Sequence, residues 1–175
     1  GEGTDRLENV DVVIGSRFDD VLNGKTDGYT NLFVPLEGDD VIKGVTDQVT
    51  FEFAAQGVTV DLGAGTAVGE GSDLIFGINQ VIGTPFDDTI TGTAGEDYFW
   101  SLAGDDVLRG RAGDDYLDAG DGTDEIDGGL GEDWCRNGED LTGCEYDNDP
   151  TPDAGLGSLS LTIRRFTELA AALRP

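Results

Sequence analysis

Residues 83–136 read GTPFDDTIT GTAGEDYFW SLAGDDVLR GRAGDDYLD AGDGTDEID GGLGEDWCR, which is six consecutive nonapeptides without a gap. The sixth position of every unit is aspartate, the eighth is apolar, and the fourth is glycine in the last five units. Self-similarity at a short fixed period is the sequence signature of a solenoid, in which each repeat buries its apolar face only against its neighbours. The stretch therefore predicts a stack of repeated strands and turns.

A nine-residue unit has the length of half a coil, namely a three-residue strand with one inward apolar side chain and a six-residue turn. Two units then make a coil with two parallel sheets back to back, and each coil advances by about 4.8 Å, the spacing of neighbouring strands. Residues 18 positions apart become stacked neighbours. The sequence thus predicts an all-β fold, a parallel β-roll (β-solenoid), with two edge columns of aspartates: Asp88, Asp106 and Asp124 in one, and Asp97, Asp115 and Asp133 in the other.

Stacked carboxylates at this spacing repel each other by about 3 kcal/mol per pair at an effective dielectric constant of about 20, so a bare stack is not expected to close. A divalent cation in each gap, bound by aspartate oxygens and backbone carbonyls of two successive turns, converts the repulsion into cohesion. All-oxygen coordination of this kind suits calcium better than magnesium. Because the unfolded chain has no such site, calcium binding is expected to drive folding. The turn glycines, which leave their carbonyl oxygens free, complete the predicted ligand set at Gly95, Gly104, Gly113, Gly122 and Gly131.

A longer period relates the start of the chain to the main repeats. Residues 1–24, GEGTDRLENVDVVIGSRFDDVLNG, recur 68 positions later as GEGSDLIFGINQVIGTPFDDTITG. This alignment and the motif EGDDVI identify further sixth positions. The candidate ligands among them are Asp5, Asp20, Asp40 and Asp73, and one more such position holds Asn31.

The gaps between stacked aspartates give a calcium stoichiometry. The four aspartate pairs of the main block that are two repeat units apart supply four sites. Asp20 with Asp40, which are spaced two positions more widely than a coil, supplies a fifth. The pairs Asp5/Asp20 and Asp73/Asp88 are spaced three positions more closely than a coil, which breaks the period, and would add one or two more. The expected number of calcium ions is therefore four in the main block and five to seven in all.

The same residues carry a family resemblance. The units GTAGEDYFW, GRAGDDYLD and GGLGEDWCR resemble the GGxGxDxUx nonapeptide of repeats-in-toxin (RTX) calcium-binding proteins. The segments GVTVDLGAGTAVGEGSD and INQVIGTPFDDTITG resemble the linking modules of that family, so the resemblance covers residues 1 to about 145. It implies a secreted, commonly bacterial protein whose repeats fold on meeting external calcium, with the sixth-position aspartates and turn carbonyls as ligands. Phe18 and Phe86 depart from the motif at the fourth position and Asn31 at the sixth, which weakens the sites expected there.

The charge balance excludes several partners. The chain carries 37 acidic against 10 basic side chains, a formal net charge of −27, with no histidine. Nucleic acid and anionic membrane surfaces are excluded as partners because both need clustered Lys and Arg. The sequence contains no run of 18 apolar residues, so it predicts no membrane-spanning helix. Residues 87–133 alone hold 15 acids against two arginines, so four calcium ions there would cancel eight of 13 net negative charges.

Alternative roles for the acids stay open at this point. The sixth-position aspartates could bond the local backbone in Asp–Gly turns, although turns do not require a strict nine-residue phase. The fifth-position acids are expected to be solvated charge that raises the local cation concentration, with metal binding as the alternative. They are Asp87, Glu96, Asp105, Asp114 and Glu132.

Composition divides the chain into four segments. The expected order is a first repeat block at 1–48, linking strands between the blocks at 49–82, the main roll at 83–145, and a linker with a C-terminal cap or docking segment at 146–175.

Two of these segments do not follow the repeat. In the linking segment Phe51 and Phe53, then Val58, Val60 and Leu62, alternate as in two half-buried strands. The last segment opens with the polar, proline-containing DNDPTPDAG and continues as LGSLSLTIRRFTELAAALRP, which favours a strand and then a helix. Protection of the open end of the roll is the preferred interpretation, because solenoid ends need a cap; docking or assembly is the alternative.

Cys135 and Cys144 lie nine residues apart in a glycine-rich stretch without histidine, which fits no zinc-site spacing. A short-range disulfide is expected instead, and it favours an oxidising, extracytoplasmic location. Cys135 takes the inward eighth position of the last complete unit, where the stack has no next coil. The bond would staple this end, with a gain of about 2–3 kcal/mol in the chain-entropy model.

An enzyme is not expected, because the chain has no histidine, no phosphate-binding loop with lysine and no nucleophile elbow. The pattern indicates a secreted calcium-binding module that serves as a folding element of an extracellular protein. One alternative is the export module of a larger secreted enzyme. Another is a cell-surface adhesin, matrix or filament protein that self-associates or binds a carbohydrate or other partner through an outward aromatic strip. This strip comprises Tyr98, Tyr116 and Trp134, with Trp100 on the same face, and simple stacking between strands is its structural alternative.

Overall fold

The computed structural model describes residues 11–24 and 30–147, and within these ranges all regular structure is β. Most strands are three residues long, as the nine-residue repeat requires. The strands are β1 (Val12–Ile14), β2 (Val21–Asn23), β3 (Leu32–Val34), β4 (Val41–Thr50), β5 (Thr59–Asp61), β6 (Thr66–Val68), β7 (Ser72–Ile82), β8 (Thr89–Thr91), β9 (Tyr98–Trp100), β10 (Val107–Ala112), β11 (Tyr116–Asp118), β12 (Glu125–Leu130), β13 (Trp134–Arg136), β14 (Asp140–Thr142) and β15 (Tyr146–Asp147).

The strands form two walls, and outside the hairpin β5–β6–β7 the chain passes from one wall to the other at each turn. One wall runs β2–β4–β7–β6–β5–β8–β10–β12–β14, and the other runs β1–β3–β4–β7–β9–β11–β13–β15. Pairing is parallel except around the hairpin β5–β6–β7. In the main block the pairing partners are two repeat units apart, so that Leu108 lies between Ile90 and Ile126. The predicted parallel β-roll is therefore confirmed.

Two long strands take part in both walls. β4 pairs through Val41–Lys43 with β2 and through Gln48 and Val49 with β3, and β7 pairs with both halves of β4. The bends within these strands are short and left-handed, with φ of 58° at Thr46 and 66° at Gly77. β4 and β7 thereby join the first repeat block to the main block in one continuous sheet.

An antiparallel hairpin interrupts the first wall. β5 pairs antiparallel with β6, β6 pairs antiparallel with β7, and β5 pairs parallel with β8. The alternation around Val60 therefore belongs to a strand, as expected, but the strand expected at Phe51 and Phe53 is wrong. These residues form a tight turn in which the Ala54 N–H donates to the Phe51 carbonyl oxygen at 2.9 Å.

One inward side chain per short strand builds the core. The eighth-position residues of the main block are all 0% exposed, namely Ile90, Phe99, Leu108, Leu117, Ile126 and Cys135. Phe33, Ile42 and Val49 continue the same inward columns through the first block and are equally buried. Because each strand is anchored by one such residue, every turn begins and ends in the same register, which stacks the aspartates that flank the strands.

The C-terminal end of the roll has shorter turns. Ile126 pairs with Leu141, 15 positions later, and Cys135 pairs with Asp147, 12 positions later, whereas partners in the main block such as Leu108 and Ile126 are 18 positions apart. The predicted disulfide between Cys135 and Cys144 is present, with a Cα–Cα distance of 5.9 Å, and Leu141 packs against the core cluster beside it. The cap expected at 146–175 lies outside the described residues apart from β15.

Candidate metal sites between the coils

Two columns of buried carboxylates run along the edges of the roll, where each turn meets the next strand. All six sixth-position aspartates of the main block are at most 2% exposed. In the last four of them, Oδ1 accepts a hydrogen bond from the backbone N–H of the aspartate one coil earlier, so the carboxylate lies in the gap between its own coil and the preceding one. These bonds run from Asp88 to Asp106, Asp97 to Asp115, Asp106 to Asp124 and Asp115 to Asp133 at 2.7–2.8 Å.

The second oxygen of these carboxylates is mostly unpartnered. A buried charged oxygen without a hydrogen bond costs several kcal/mol, because the group has given up its water without replacement. Such oxygens fit a bound cation. In the described part of the chain the buried Oδ2 atoms without a partner belong to Asp40, Asp106, Asp115, Asp124 and Asp133.

These five oxygens lie in the gaps that the aspartate spacing singles out. Asp106, Asp115, Asp124 and Asp133 each close one of the four pairs that are two repeat units apart. Asp40 closes the gap above Asp20, whose backbone N–H donates to Asp40 Oδ1 at 2.8 Å.

Backbone carbonyls of two successive turns face the gaps that Asp40, Asp115 and Asp133 enter. In the gap that Asp115 enters, the Gly110 carbonyl oxygen lies 2.6 Å from the position a Cβ on Gly92 would take. The Gly95 carbonyl oxygen lies 2.5 Å from the Cβ position of Gly113. A first-position carbonyl therefore points back and a fourth-position carbonyl points forward into the same gap, and with the carboxylate they form an all-oxygen cradle.

The fourth-position glycines thus take part in two ways. The carbonyl oxygens of Gly95, Gly104 and Gly113 face the next coil. Gly113, Gly122 and Gly131 receive those oxygens against their Cα atoms, where a Cβ would collide with backbone. Glycine at this position is therefore required by the close approach of the coils.

Phenylalanine at the fourth position keeps the carbonyl in place. The Phe18 carbonyl oxygen lies 2.9 Å from the Cβ position of Gly38, and the Phe86 oxygen lies 2.7 Å from that of Gly104. Both aromatic side chains point outward and are exposed. The expected weakening at these turns does not extend to the oxygen, because a carbonyl does not depend on its own side chain.

The first-position glycines are functional candidates that the sequence analysis missed. Asp97 Oδ2 lies 2.5 Å from the Cβ position of Gly92, and Asp133 Oδ2 lies 2.8 Å from that of Gly128. Gly110 is placed likewise against Asp115. A side chain there would displace the carboxylate of the same turn. Recurrence of glycine at this position was the available signal.

Asp73 does not stack on Asp88. The Asp40 N–H donates to Asp73 Oδ1 at 3.0 Å, so Asp73 continues the first-block column. The two hairpin strands β5 and β6 stand between Asp73 and Asp88, and Asp88 Oδ1 accepts the Val58 N–H at 2.8 Å instead. The site expected between Asp73 and Asp88 is therefore wrong, because that expectation missed the inserted hairpin. Asp5 lies outside the described residues.

Asn31 occupies the position expected of it and pairs with an aspartate that the repeat pattern did not predict. Its backbone N–H and Nδ2 donate to Asp47 Oδ1 at 2.7 and 2.8 Å. Asp47 is 0% exposed, and its Oδ2 accepts the Val45 N–H at 2.8 Å. Asp47 therefore takes the place of a sixth-position aspartate at the end of the short bend within β4, and both of its carboxylate oxygens accept hydrogen bonds from the protein.

Two glutamates end the columns at the C-terminal end. Glu139 accepts the Asp124 N–H at 2.7 Å, and Glu145 accepts the Asp133 N–H at 2.9 Å, both through Oε2. They follow three-residue turns, and the longer side chain reaches the position that aspartate takes after a six-residue turn. A strict nine-residue template cannot find them.

The fifth-position aspartates make a second ladder on the exposed side of the turns. Asp87 Oδ1 accepts the Asp105 N–H at 2.9 Å, and Asp105 Oδ1 accepts the Thr123 N–H at 3.0 Å. Asp114 Oδ1 accepts the Glu132 N–H at 3.0 Å. These carboxylates reach one coil forward, whereas the sixth-position ones reach one coil back. Their contacts are to backbone, so they hold the turns in addition to adding exposed charge.

Burial raises the pKa of all six sixth-position aspartates of the main block. Desolvation is the largest cause, and neighbouring carboxylates add to it at most positions. The pKa of Asp115 is raised to about 7, and those of Asp40 and Asp106 to about 6. The pKa is also raised at Asp73, Asp88, Asp97, Asp124 and Asp133.

The metal-free roll is therefore expected to be more stable at about pH 5.5 than at about pH 7.5. A carboxyl whose pKa is higher in the folded chain stabilises folding fully below its unfolded value, and this contribution is lost as pH rises through the folded value. With folded pKa values of about 6 to 7, the loss spans pH about 4 to about 7. In EDTA, less trimethylamine N-oxide should be needed to induce the β signal in circular dichroism at the lower pH. An equal or greater requirement there would contradict the raised values.

The aromatic strip is in register. Tyr98, Tyr116 and Trp134 are paired on neighbouring strands and half-buried. The ring centroids of Trp100 and Tyr116 lie 5.8 Å apart, and Trp134 stacks on Tyr146 at 4.6 Å. Such contacts are those of a cross-strand ladder, so they support the structural interpretation; ligand binding by the strip stays a prediction.

Carboxylates alone do not make a metal site in this fold. Within residues 11–24 and 30–147, no three acidic or cysteine side chains converge as a metal-binding group. A cation in a gap therefore needs the backbone carbonyls as well. The same ranges contain no helix long and apolar enough to cross a membrane.

Comparison with protein families identifies a calcium-binding repeat. Residues 76–108 and 100–135 match the model of the RTX calcium-binding nonapeptide repeat (4 copies). No curated protein matches the chain. The matched residues contain the stacked aspartates from Asp88 to Asp133 and the turn glycines between them.

Proposed function

Since residues 76–135 of this chain are RTX calcium-binding nonapeptide repeats of a calcium-binding β-roll module, we propose that the roll binds five calcium ions. One ion occupies each gap that holds a buried, unpartnered aspartate Oδ2. Four of these gaps lie in the main block, and the fifth lies between Asp20 and Asp40. The proposed donors in each gap are the Oδ2 atom of the sixth-position aspartate, the first-position carbonyl of its own turn and the fourth-position carbonyl of the preceding turn.

The observation that carries this proposal is the coincidence of two independent patterns. The repeat spacing singles out four pairs that are two units apart and the more widely spaced pair Asp20/Asp40. Hydrogen bonding leaves a buried Oδ2 without a partner at the upper aspartate of the same five pairs. A bound calcium ion would supply the positive charge and the coordination that these oxygens lack.

The residues prepare each gap before any ion arrives. The Oδ1 hydrogen bond from the preceding coil fixes the carboxylate, as Asp97 N–H does for Asp115 at 2.8 Å. In the turns of Asp115 and Asp133 a first-position glycine leaves room for the carboxylate, and in all five turns the fourth-position glycine lets the coils approach closely. What these contacts do not offset is the desolvation of the carboxylate, which is why folding is expected to require the ion.

We further propose that the module acts outside the cell as a calcium-dependent folding element of an extracellular protein. The Cys135–Cys144 disulfide supports an oxidising location. The continuous pairing of β4 with β7 supports the two repeat blocks acting as one roll rather than as separate units. Its contribution in this proposal is structural, since the sixth-position aspartates contact backbone groups and in five gaps leave an oxygen for the ion.

A calcium titration of the metal-free chain tests the proposal. Isothermal titration calorimetry or equilibrium dialysis with calcium chloride is expected to give five equivalents per chain, accompanied by a gain of β signal. Absence of calcium binding would overturn the proposal. A stoichiometry of four would reject the Asp20/Asp40 site while leaving the main block in place.

A further inference from the structure

The eight six-residue turns that end on an aspartate in the described chain fall into two classes, which differ at the second position. In three of them this residue is serine or threonine: Ser16, Thr84 and Thr93. In the other five it has a left-handed backbone: Leu36, Leu102, Arg111, Gly120 and Gly129, with φ between 69° and 105°.

A serine or threonine at the second position closes the carboxylate of its own turn. The Thr93 N–H donates to Asp97 Oδ2 at 2.6 Å, and its hydroxyl donates to the same oxygen at 3.0 Å. Ser16 makes the same two bonds to Asp20 Oδ2 at 2.6 and 2.9 Å. Thr84 donates its N–H to Asp88 Oδ2 at 2.6 Å and its hydroxyl to Oδ1 at 2.8 Å. The aspartate Oδ2 is partnered by protein in all three turns, and Asp97 Oδ1 is the buried carboxylate oxygen that these turns leave without a partner.

A left-handed second position leaves the carboxylate open. The five turns with positive φ at this position are the five whose aspartate Oδ2 is buried and unpartnered. Leu36, Leu102 and Arg111 hold this conformation although they carry a Cβ, which makes it sterically unfavourable. Strain of this kind persists only where the surrounding structure or a ligand compensates for it.

We propose that the second residue of each turn determines whether its gap takes calcium. Serine or threonine caps the sixth-position carboxylate with N–H and hydroxyl and makes a calcium-free turn, whereas a left-handed residue leaves Oδ2 for the ion. This inference rests on the proposed calcium-binding function and adds the residue that selects the sites.

The positions of the capped turns support this assignment. In the preceding coil, the short bend of β7 at Gly77 lies in the place that corresponds to the turn of Asp97. The segment that leads into the hairpin strand β5 lies in the place that corresponds to the turn of Asp88. Neither of these is a six-residue turn, so neither gap receives the forward-pointing fourth-position carbonyl that the open gaps have. At these two turns capping coincides with an incomplete cradle, and residues 1–10, which precede the third capped turn, lie outside the described ranges. The capped turns at Thr84 and Thr93 therefore give the main block two calcium-free turns below its first ion.

Substitution of Leu102 by threonine tests the inference, with L102G as the matched control. L102T introduces the cap into an open turn and is expected to lower the calcium stoichiometry by one relative to wild type, as measured by equilibrium dialysis. L102G favours the left-handed conformation and should keep the wild-type number. L36S against L36G repeats the comparison at the separate Asp20/Asp40 gap.

The outcomes separate this inference from the proposed function. If wild type binds no calcium, the proposed function fails. If wild type binds five ions and L102T and L36S bind as many as their glycine controls, only the selection by the second position is overturned. Failure of both hydroxyl variants to fold in calcium, while the glycine controls fold, also overturns it, because a capped turn should fit this roll as Thr93 does.

Discussion

In excess EDTA the protein is expected to lose its far-ultraviolet β signal and to regain it when calcium is restored. Within residues 11–24 and 30–147, five gaps each hold a buried carboxylate oxygen that protein groups leave unpartnered. At a free calcium concentration about 1,000 times the dissociation constant, each ion that binds only the folded chain contributes about 4 kcal/mol. A whole domain is typically stable by about 5–15 kcal/mol, so the loss of all five ions exceeds any stability the thin core can supply.

Circular dichroism during a calcium titration, followed by chelator reversal, measures this effect. Magnesium at the same concentration is the control, because a small ion that demands octahedral geometry and retains its water should not fill gaps lined by backbone carbonyls. An unchanged β signal in EDTA would show that the core and disulfide suffice, and would contradict calcium-dependent folding.

The fold was predictable because the nine-residue period determines the geometry directly. One apolar residue per unit fixes which side chain faces inward, and the six eighth-position residues are all completely buried. Because one repeat unit is half a coil, successive strands must alternate between the two walls. Each strand then pairs with the strands two units before and after it, as Leu108 pairs with Ile90 and Ile126. Repeated sequence is informative here because each coil meets only its neighbours.

Where the period breaks, sequence reasoning failed for a physical reason. A strand can follow a turn of three residues as well as one of six, and only tertiary pairing identifies the residue that then takes the sixth position. Asp47, Glu139 and Glu145 accept the same backbone hydrogen bond as the predicted aspartates but lie outside the nine-residue phase. The inserted hairpin separates Asp73 from Asp88 in the same way.

The chemistry of the gaps was only partly accessible from sequence. The candidate aspartates could be predicted because they recur at a fixed position of the repeat while most neighbouring positions vary. The distinction between an open and a capped carboxylate depends on one hydroxyl and one φ angle, as the contrast between Thr93 and Arg111 shows. A repeat motif that allows any residue at the second position of the turn does not distinguish the two cases.

Replacement of Asp115 by asparagine should have opposite effects with and without calcium. In calcium, D115N keeps the Oδ1 acceptor for the Asp97 N–H but loses the charged oxygen in the gap. Loss of that ion should lower the free energy of unfolding by about 4 kcal/mol at calcium about 1,000 times the dissociation constant. Burial raises the pKa of the Asp115 carboxyl to about 7, so in EDTA near pH 7.5 this group carries an unfavourable buried charge that D115N removes. D115N should therefore fold at a lower concentration of trimethylamine N-oxide than wild type.

The neighbouring substitution D114N is the matched control, since Asp114 is exposed and its Oδ1 accepts only the Glu132 N–H at 3.0 Å. An exposed change of this kind should alter stability by no more than about 0.5 kcal/mol in either condition. A purely structural Asp115 would make D115N less stable both in calcium and in EDTA. The reversal of sign is therefore the result that identifies Asp115 as a ligand, because only the ion makes its negative charge favourable in that gap.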